Sequence, residues 1–139
     1  MALDLEFTEI EEMLRDTALK FIPPDETIQT LFEKTDTGYT EEMWQKVKEM
    51  GWLGIIIPEE YGGTELPLTS AGVLFEALGT GPLPGPYFSS GILGSLIVMT
   101  AGNEEQKTQI LPAIATGAQV AALALTEPTY SWEPRGVET

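Results

Sequence analysis

The chain has 139 residues, no cysteine, no histidine and a formal net charge of −15. Disulfides, thiolate metal sites and Ser-His-Asp or Cys-His catalysis are thereby excluded within it, and no metal site is assigned. Sixteen of the 22 acidic residues fall in the first 65 positions, a surface that repels nucleic acid and anionic lipid.

The seven basic residues (Arg15, Lys20, Lys34, Lys46, Lys48, Lys107 and Arg135) are scattered without a patch, so if a ligand carries phosphates most of the cations that hold it must come from other segments or another subunit. Hydrophobic residues at 42% and charged residues at 21% describe a folding, water-soluble chain. The longest apolar run, 92–101, is about half of what a bilayer crossing needs, so no membrane span is expected. The start, Met-Ala-Leu-Asp-Leu-Glu, has neither a basic nor an apolar signal region, and the expected compartment is the cytoplasm.

Thr8-Glu9-Ile10-Glu11 has the form of a capping box, which predicts a helix with Ile10, Met13, Leu14, Thr17 and Phe21 on its inner face and a stop at Pro23-Pro24. A second helix is predicted over 25–34, with Ile28, Leu31 and Phe32 inward. Thr40 caps a third, with Met43, Trp44, Val47 and Met50 as its apolar stripe and Gly51 at the left-handed position past its end. The run Gly51 to Pro58, with three isoleucines, reads as a buried extended connector.

A buried helix is predicted over 68–78 through Val73, Leu74, Ala77 and Leu78. The proline- and glycine-rich stretch 81–86 is a stiff loop. The next helix, 87–100, buries Ile92, Leu93, Leu96 and Ile97, and Ser89, Ser90, Gly91, Gly94 and Ser95 give its other side a small-residue surface open to close approach. Asn103 with Gln106 repeats the capping logic for a last helix ending at Thr116-Gly117, with Pro112 tolerated only near a turn or kink.

Val120 through Leu125 is a short apolar run that opens onto Thr126-Glu127-Pro128, the pattern of a buried strand leading into a loop. Its amides and the Thr126 hydroxyl can face a ligand; equally, the turn can be a plain strand exit set by Pro128. The fold class is all-α: a bundle of about six helices ending in a single strand, divided at 1–119 and 120–139.

The order of these pieces resembles the amino-terminal part of the flavin-dependent acyl-CoA dehydrogenase family. The likeness rests on Glu11-Glu12-Met13-Leu14-Arg15-Asp16, Gly51-Trp52-Leu53-Gly54, Ile57-Pro58-Glu59-Glu60-Tyr61-Gly62-Gly63, Glu76-Ala77-Leu78-Gly79, Ala101-Gly102-Asn103-Glu104-Glu105-Gln106-Lys107, Leu111-Pro112 and Leu125-Thr126-Glu127-Pro128. The resemblance implies an amino-terminal helical domain plus the start of a middle β-domain, the truncated 120–139 segment. It implies FAD as cofactor, an acyl-CoA substrate dehydrogenated to the 2-enoyl-CoA, electron-transfer flavoprotein or a similar acceptor as partner, and a homo- or hetero-oligomer. The family's catalytic glutamate lies in the carboxy-terminal domain, so no catalytic residue is assigned in this chain.

Carried over by motif, Leu123, Leu125 and Thr126 are cofactor-binding, and Tyr87, Phe88, Ser89 and Leu93 form the far wall of the acyl pocket. Plain core packing is the other reading of Tyr87 and Phe88. Many members continue Thr-Glu-Pro with Gly-Ala-Gly-Ser-Asp, whereas this chain has Thr129-Tyr130-Ser131-Trp132-Glu133, a departure that points to a divergent subfamily. Two further readings stand beside the enzyme: a non-catalytic partner subunit, and a stand-alone helical assembly module.

Overall fold

The computed structural model describes residues 6–22, 33, 35–81 and 83–128. Among these the chain is all-α: α1 (Glu9–Phe21), α2 (Glu41–Glu49), α3 (Leu68–Leu78), α4 (Ser95–Ala101) and α5 (Glu104–Ala115), with 3₁₀ turns at Trp52–Gly54 and Glu59–Tyr61 and a π-helical stretch at Tyr87–Gly94. The helix expected over 25–34 lies outside the described residues apart from Glu33, which is helical.

Helix α1 begins at the capping box read from the sequence. The Glu11 amide donates to the Thr8 hydroxyl at 3.3 Å, and the Thr8 amide returns a bond to Glu11 Oε2 at 2.9 Å. The buried stripe differs from the expected one, because Ile10 and Met13 are 48% and 63% exposed. Packing against α3 turns inward the line Glu11, Leu14, Ala18, Phe21, which keeps helical 3–4–3 spacing. Glu11 belongs to that line as a polar tie: Ser70 of α3 donates to its Oε1 at 3.0 Å.

Helix α2 is capped by Thr40, whose hydroxyl accepts from the Met43 amide at 3.2 Å, and Gly51 follows its end at φ 69°. Trp44 and Val47 are buried, as the stripe predicts, while Met50 is 46% exposed. The connector 51–58 is buried over 52–57 but wound, not extended. Gly54 N donates to Gly51 O at 3.2 Å, Ile55 N to Trp52 O at 3.4 Å and Ile57 N to Gly54 O at 3.1 Å.

Winding solves a hydrogen-bonding problem that an extended buried segment would face without a sheet partner. The chain folding back supplies further donors, with Thr64 N also on Gly54 O, Glu65 N on Ile57 O and Leu66 N on Ile55 O at 2.8–2.9 Å. This reversal brings three backbones together. A Cβ on Gly54 would lie 3.1 Å from the Ala115 Cβ and 3.3 Å from the Gly63 Cα, and a Cβ on Gly63 would land on the Ile57 carbonyl.

The larger core gathers Ala18, Trp44, Val47, Trp52, Leu53, Leu74 and their neighbours. Trp44 is its aromatic hub, stacked on Tyr87 at 5.7 Å and tilted against Tyr39. A smaller core of Ile57, Leu111, Ile114 and Ala115 fixes α5 against the reversal. Helix α5 starts at the Asn103–Gln106 box, and Pro112 stands in its last turn, where Thr116 supplies both its amide and its hydroxyl to the Pro112 carbonyl.

The helix expected over 87–100 is present in two registers. Its first half, Tyr87–Gly94, makes wide π turns and only Ser95–Ala101 is α-helical. Ile92 is buried, whereas Leu93, Leu96 and Ile97 are half-buried. Residues 120–127 join no ladder among the described residues, since a single strand has no strand here to pair with. No helix of the described residues is long and apolar enough to cross a membrane.

Candidate functional site

The family resemblance assigns two sets of residues to the site, and the structure carries them on two adjoining pieces: the π-helical stretch 87–94 and the tail that leaves α5. Pro86 ends the stiff loop, and Ser89 donates from its hydroxyl to the Pro86 carbonyl at 3.3 Å. Tyr87 is a core residue: it is 6% exposed, stacked on Trp44, and its hydroxyl donates to the Pro84 carbonyl at 2.6 Å. Burial, with Tyr39 nearby, pushes its phenol well above the ordinary value of 10.0.

Phe88 faces the other way. It is 58% exposed and meets Phe75 edge-on at 5.8 Å. Together with Leu78, Gly79, Leu83, Gly85 and the rim of Tyr87, these rings line a cleft of about 240 Å³ that carries no charged side chain. Such a cleft accepts an apolar group by area burial and offers no acid or base. Gly85 is required at its mouth, because φ is 145° there and a Cβ would come within 2.5 Å of the Tyr87 ring.

Small residues make the far side of the stretch a docking face for the chain's own backbone. A Cβ on Gly91 would meet the Leu53 Cα and carbonyl at 3.2 Å, and one on Gly94 would meet the Ala121 Cβ at 2.7 Å. Ser90, fully buried, accepts the Ala121 amide on its hydroxyl oxygen at 3.1 Å. The tail is further held by Trp44 Nε1 donating to Gly117 O at 3.3 Å and Gln119 N to Ala113 O at 3.0 Å.

Beyond Ala121 the chain is released. Leu123 is 42% and Leu125 57% exposed, Thr126 is exposed, and residues 123–126 make no hydrogen bond among the described residues. The two sets sit on pieces that touch at Ala121, and no hydrogen bond joins them directly. Three residues escaped the sequence reading: Phe75 and Leu83, which complete the cleft, and Ser90 as an acceptor. Ser90 was visible only as a small residue beside Gly91, because nothing in the sequence says that residue 121 would lie over it.

The family described as acyl-CoA dehydrogenase, N-terminal domain, matches residues 8–118. A probable acyl-CoA dehydrogenase of Bacillus subtilis is 33% identical over 137 residues, 96% of this chain and 23% of that protein. The long-chain specific mitochondrial acyl-CoA dehydrogenase of Sus scrofa is 33% identical over 138 residues, 96% of this chain and 31% of that protein. A solved acyl-CoA dehydrogenase from Bacillus anthracis, complexed with FAD, superposes with a TM-score of 0.77 at 31% identity, covering 91% of this chain and 22% of that one. The chain thus spans less than a third of the length of these relatives. With most of its length matched by one domain family and its helices in that family's arrangement, the chain belongs to the acyl-CoA dehydrogenases as their amino-terminal domain.

Proposed function

We propose that this chain is the amino-terminal part of a flavin-dependent acyl-CoA dehydrogenase, with 1–119 as the helical domain and 120–139 as the beginning of the β-domain. In that role the Phe88 and Leu93 side of the π-helical stretch lines the acyl pocket, and 123–126 faces the flavin. FAD is the proposed cofactor, an acyl-CoA the substrate and electron-transfer flavoprotein or a similar protein the acceptor, in an oligomeric enzyme. The reaction removes the α-proton of the thioester and transfers the β-hydrogen as hydride, and the base that takes the proton belongs to chain beyond residue 139.

The observation that carries this reading is the character of 123–126. Exposed leucines stand among amides that no described residue accepts, and the Thr126 hydroxyl stands beside them. That combination fits a planar ring with an apolar face and a hydrogen-bonding edge. When bound, the flavin supplies the hydride acceptor. The work of this chain is to shield the acyl group from water along the charge-free cleft and to offer donors where negative charge grows.

Replacement of Thr126 by Ala in the flavin-loaded protein tests the reading. It removes one hydroxyl and leaves the exit of the tail in place. A hydrogen bond to a charge-bearing group is worth about 1.5–3 kcal/mol, so flavin reduction by acyl-CoA should slow roughly ten- to a hundredfold. A Thr126→Ala protein with unchanged flavin spectrum, affinity and reduction rate returns the Thr-Glu-Pro turn to a plain chain exit.

A further inference from the structure

We propose that Ser90 and Gly94 form a latch on Ala121 that sets where residues 122–126 lie, with Ser90 acting as a positioning residue for Thr126; its consequence for flavin rests on the function proposed above. Ser90 is fully buried, and its backbone is already engaged: its amide donates to Pro86 O at 3.0 Å, and its carbonyl accepts from the Ser95 amide and hydroxyl. Its side-chain oxygen is what remains, and it accepts the amide of a residue 31 positions further along at 3.1 Å.

A peptide group is planar, so holding the Ala121 N–H aims the whole 120–121 peptide unit. Gly94 supplies the second constraint. With hydrogen in place of a side chain it lets the Ala121 methyl rest where a Cβ on residue 94 would come to 2.7 Å of it. One contact fixes direction and the other fixes height over the helix.

The position of this latch in the chain gives it leverage. Upstream, the tail is pinned at Gly117 and Gln119. Downstream, 122–126 carries no hydrogen bond among the described residues. The five residue steps from Ala121 to Thr126 span at most about 18 Å, and their starting direction is set at Ala121. The helix that holds them there also carries Tyr87 and Phe88, so one element is wall to the cleft and anchor to the tail.

Nuclear magnetic resonance of the full 139-residue chain tests this without flavin. In Ser90→Ala the Ala121 amide should exchange with solvent about tenfold faster and the Thr126 signals should shift, with the amides of the 52–57 turns unchanged. Gly94→Ala keeps the hydroxyl but lifts Ala121, and should also shift Thr126. Adding Ala121→Gly makes room again and should return the Thr126 signals toward their original positions, which a general loosening of the fold would not do.

Thr126 signals that stay put in both folded single variants overturn the latch, as does unchanged Ala121 exchange in Ser90→Ala. In the flavin-loaded protein the same variants should move the flavin absorption band. If Thr126 moves in the chain and the band does not, the assignment of Thr126 to the flavin fails, while the latch stands on the Thr126 signals.

Discussion

The indole nitrogen of Trp44 donates to the carbonyl of Gly117, 73 residues away, at 3.3 Å. That bond closes the bundle by tying the middle of α2 to the turn that ends α5, at the point where the tail departs. Gly117 has φ 68°, and a Cβ there would come within 2.5 Å of Lys48 Cγ and 2.8 Å of Leu53 Cδ1. We expect Trp44→Phe to lose about 1–3 kcal/mol, since the carbonyl is left buried without its donor. Gly117→Ala should lose a comparable amount through strain and crowding. Denaturant midpoints measure both; a Trp44→Phe loss below about 0.5 kcal/mol would mean that stacking on Tyr87 alone holds the indole.

Two glycines separate close packing from conformational freedom. Gly63→Ala forces a methyl onto the Ile57 carbonyl, backbone against backbone, and should cost about 3 kcal/mol or prevent folding. Gly72 lies inside α3 with nothing within 4 Å of a built Cβ, so Gly72→Ala should raise stability by about 0.5–1 kcal/mol through helix propensity. Thermal melts of the two variants should move in opposite directions.

Helix α3 offers a second contrast. Leu68, at its start, is 54% exposed, and Leu74 is 1% exposed. Leu74→Ala should cost about 2–5 kcal/mol by opening a cavity, and Leu68→Ala less than about 1 kcal/mol. Equal losses in urea unfolding would show that the start of α3 is more deeply packed than its exposure indicates.

Acid should weaken the tie between α1 and α3. The Glu11 carboxyl is held below its ordinary value of 4.5 by the Thr8 amide first, then the Thr8 hydroxyl, then Ser70. Glu104 is held down in the same direction, first by Lys107 and then by Tyr61. A carboxyl depressed in the folded state contributes stability that is present above its unfolded value and is lost as pH falls through the folded one. Melting temperature should therefore drop below pH 4.5, and Glu11→Gln should be less stable at neutral pH with a shallower acid drop. Parallel pH profiles for the two proteins would remove Glu11 from the account.

What could be read in the sequence was local. Thr8 with Glu11, Thr40 before α2, Gly51 after it and Asn103 with Gln106 announce helix ends through bonds that reach three or four residues, and all four hold. The misreadings depend on distant partners. Ile10 and Met13 share a helical face with Leu14, but which face turns inward was decided by α3, some 60 positions on. The three isoleucines at 55–57 have the composition of a strand, yet they wind, and the chain returning at Glu65 and Leu66 donates to the Ile57 and Ile55 carbonyls. The π register of 87–94 leaves no mark in apolar spacing, since its glycines and serines answer to Leu53 and Ala121 across the fold.

The approach of Gly54, Gly63 and Ala115 has a consequence for how the family can drift. These three positions share one small volume, so none has a free choice of side chain while the other two stay as they are. Among related sequences a larger residue at 115 should appear only where the segment bearing residue 63 has changed length or path, and glycine at 54 should persist wherever that segment returns unaltered. Positions 61 residues apart in the chain thus behave as one heritable unit, and their joint variation would mark where this reversal has been rebuilt.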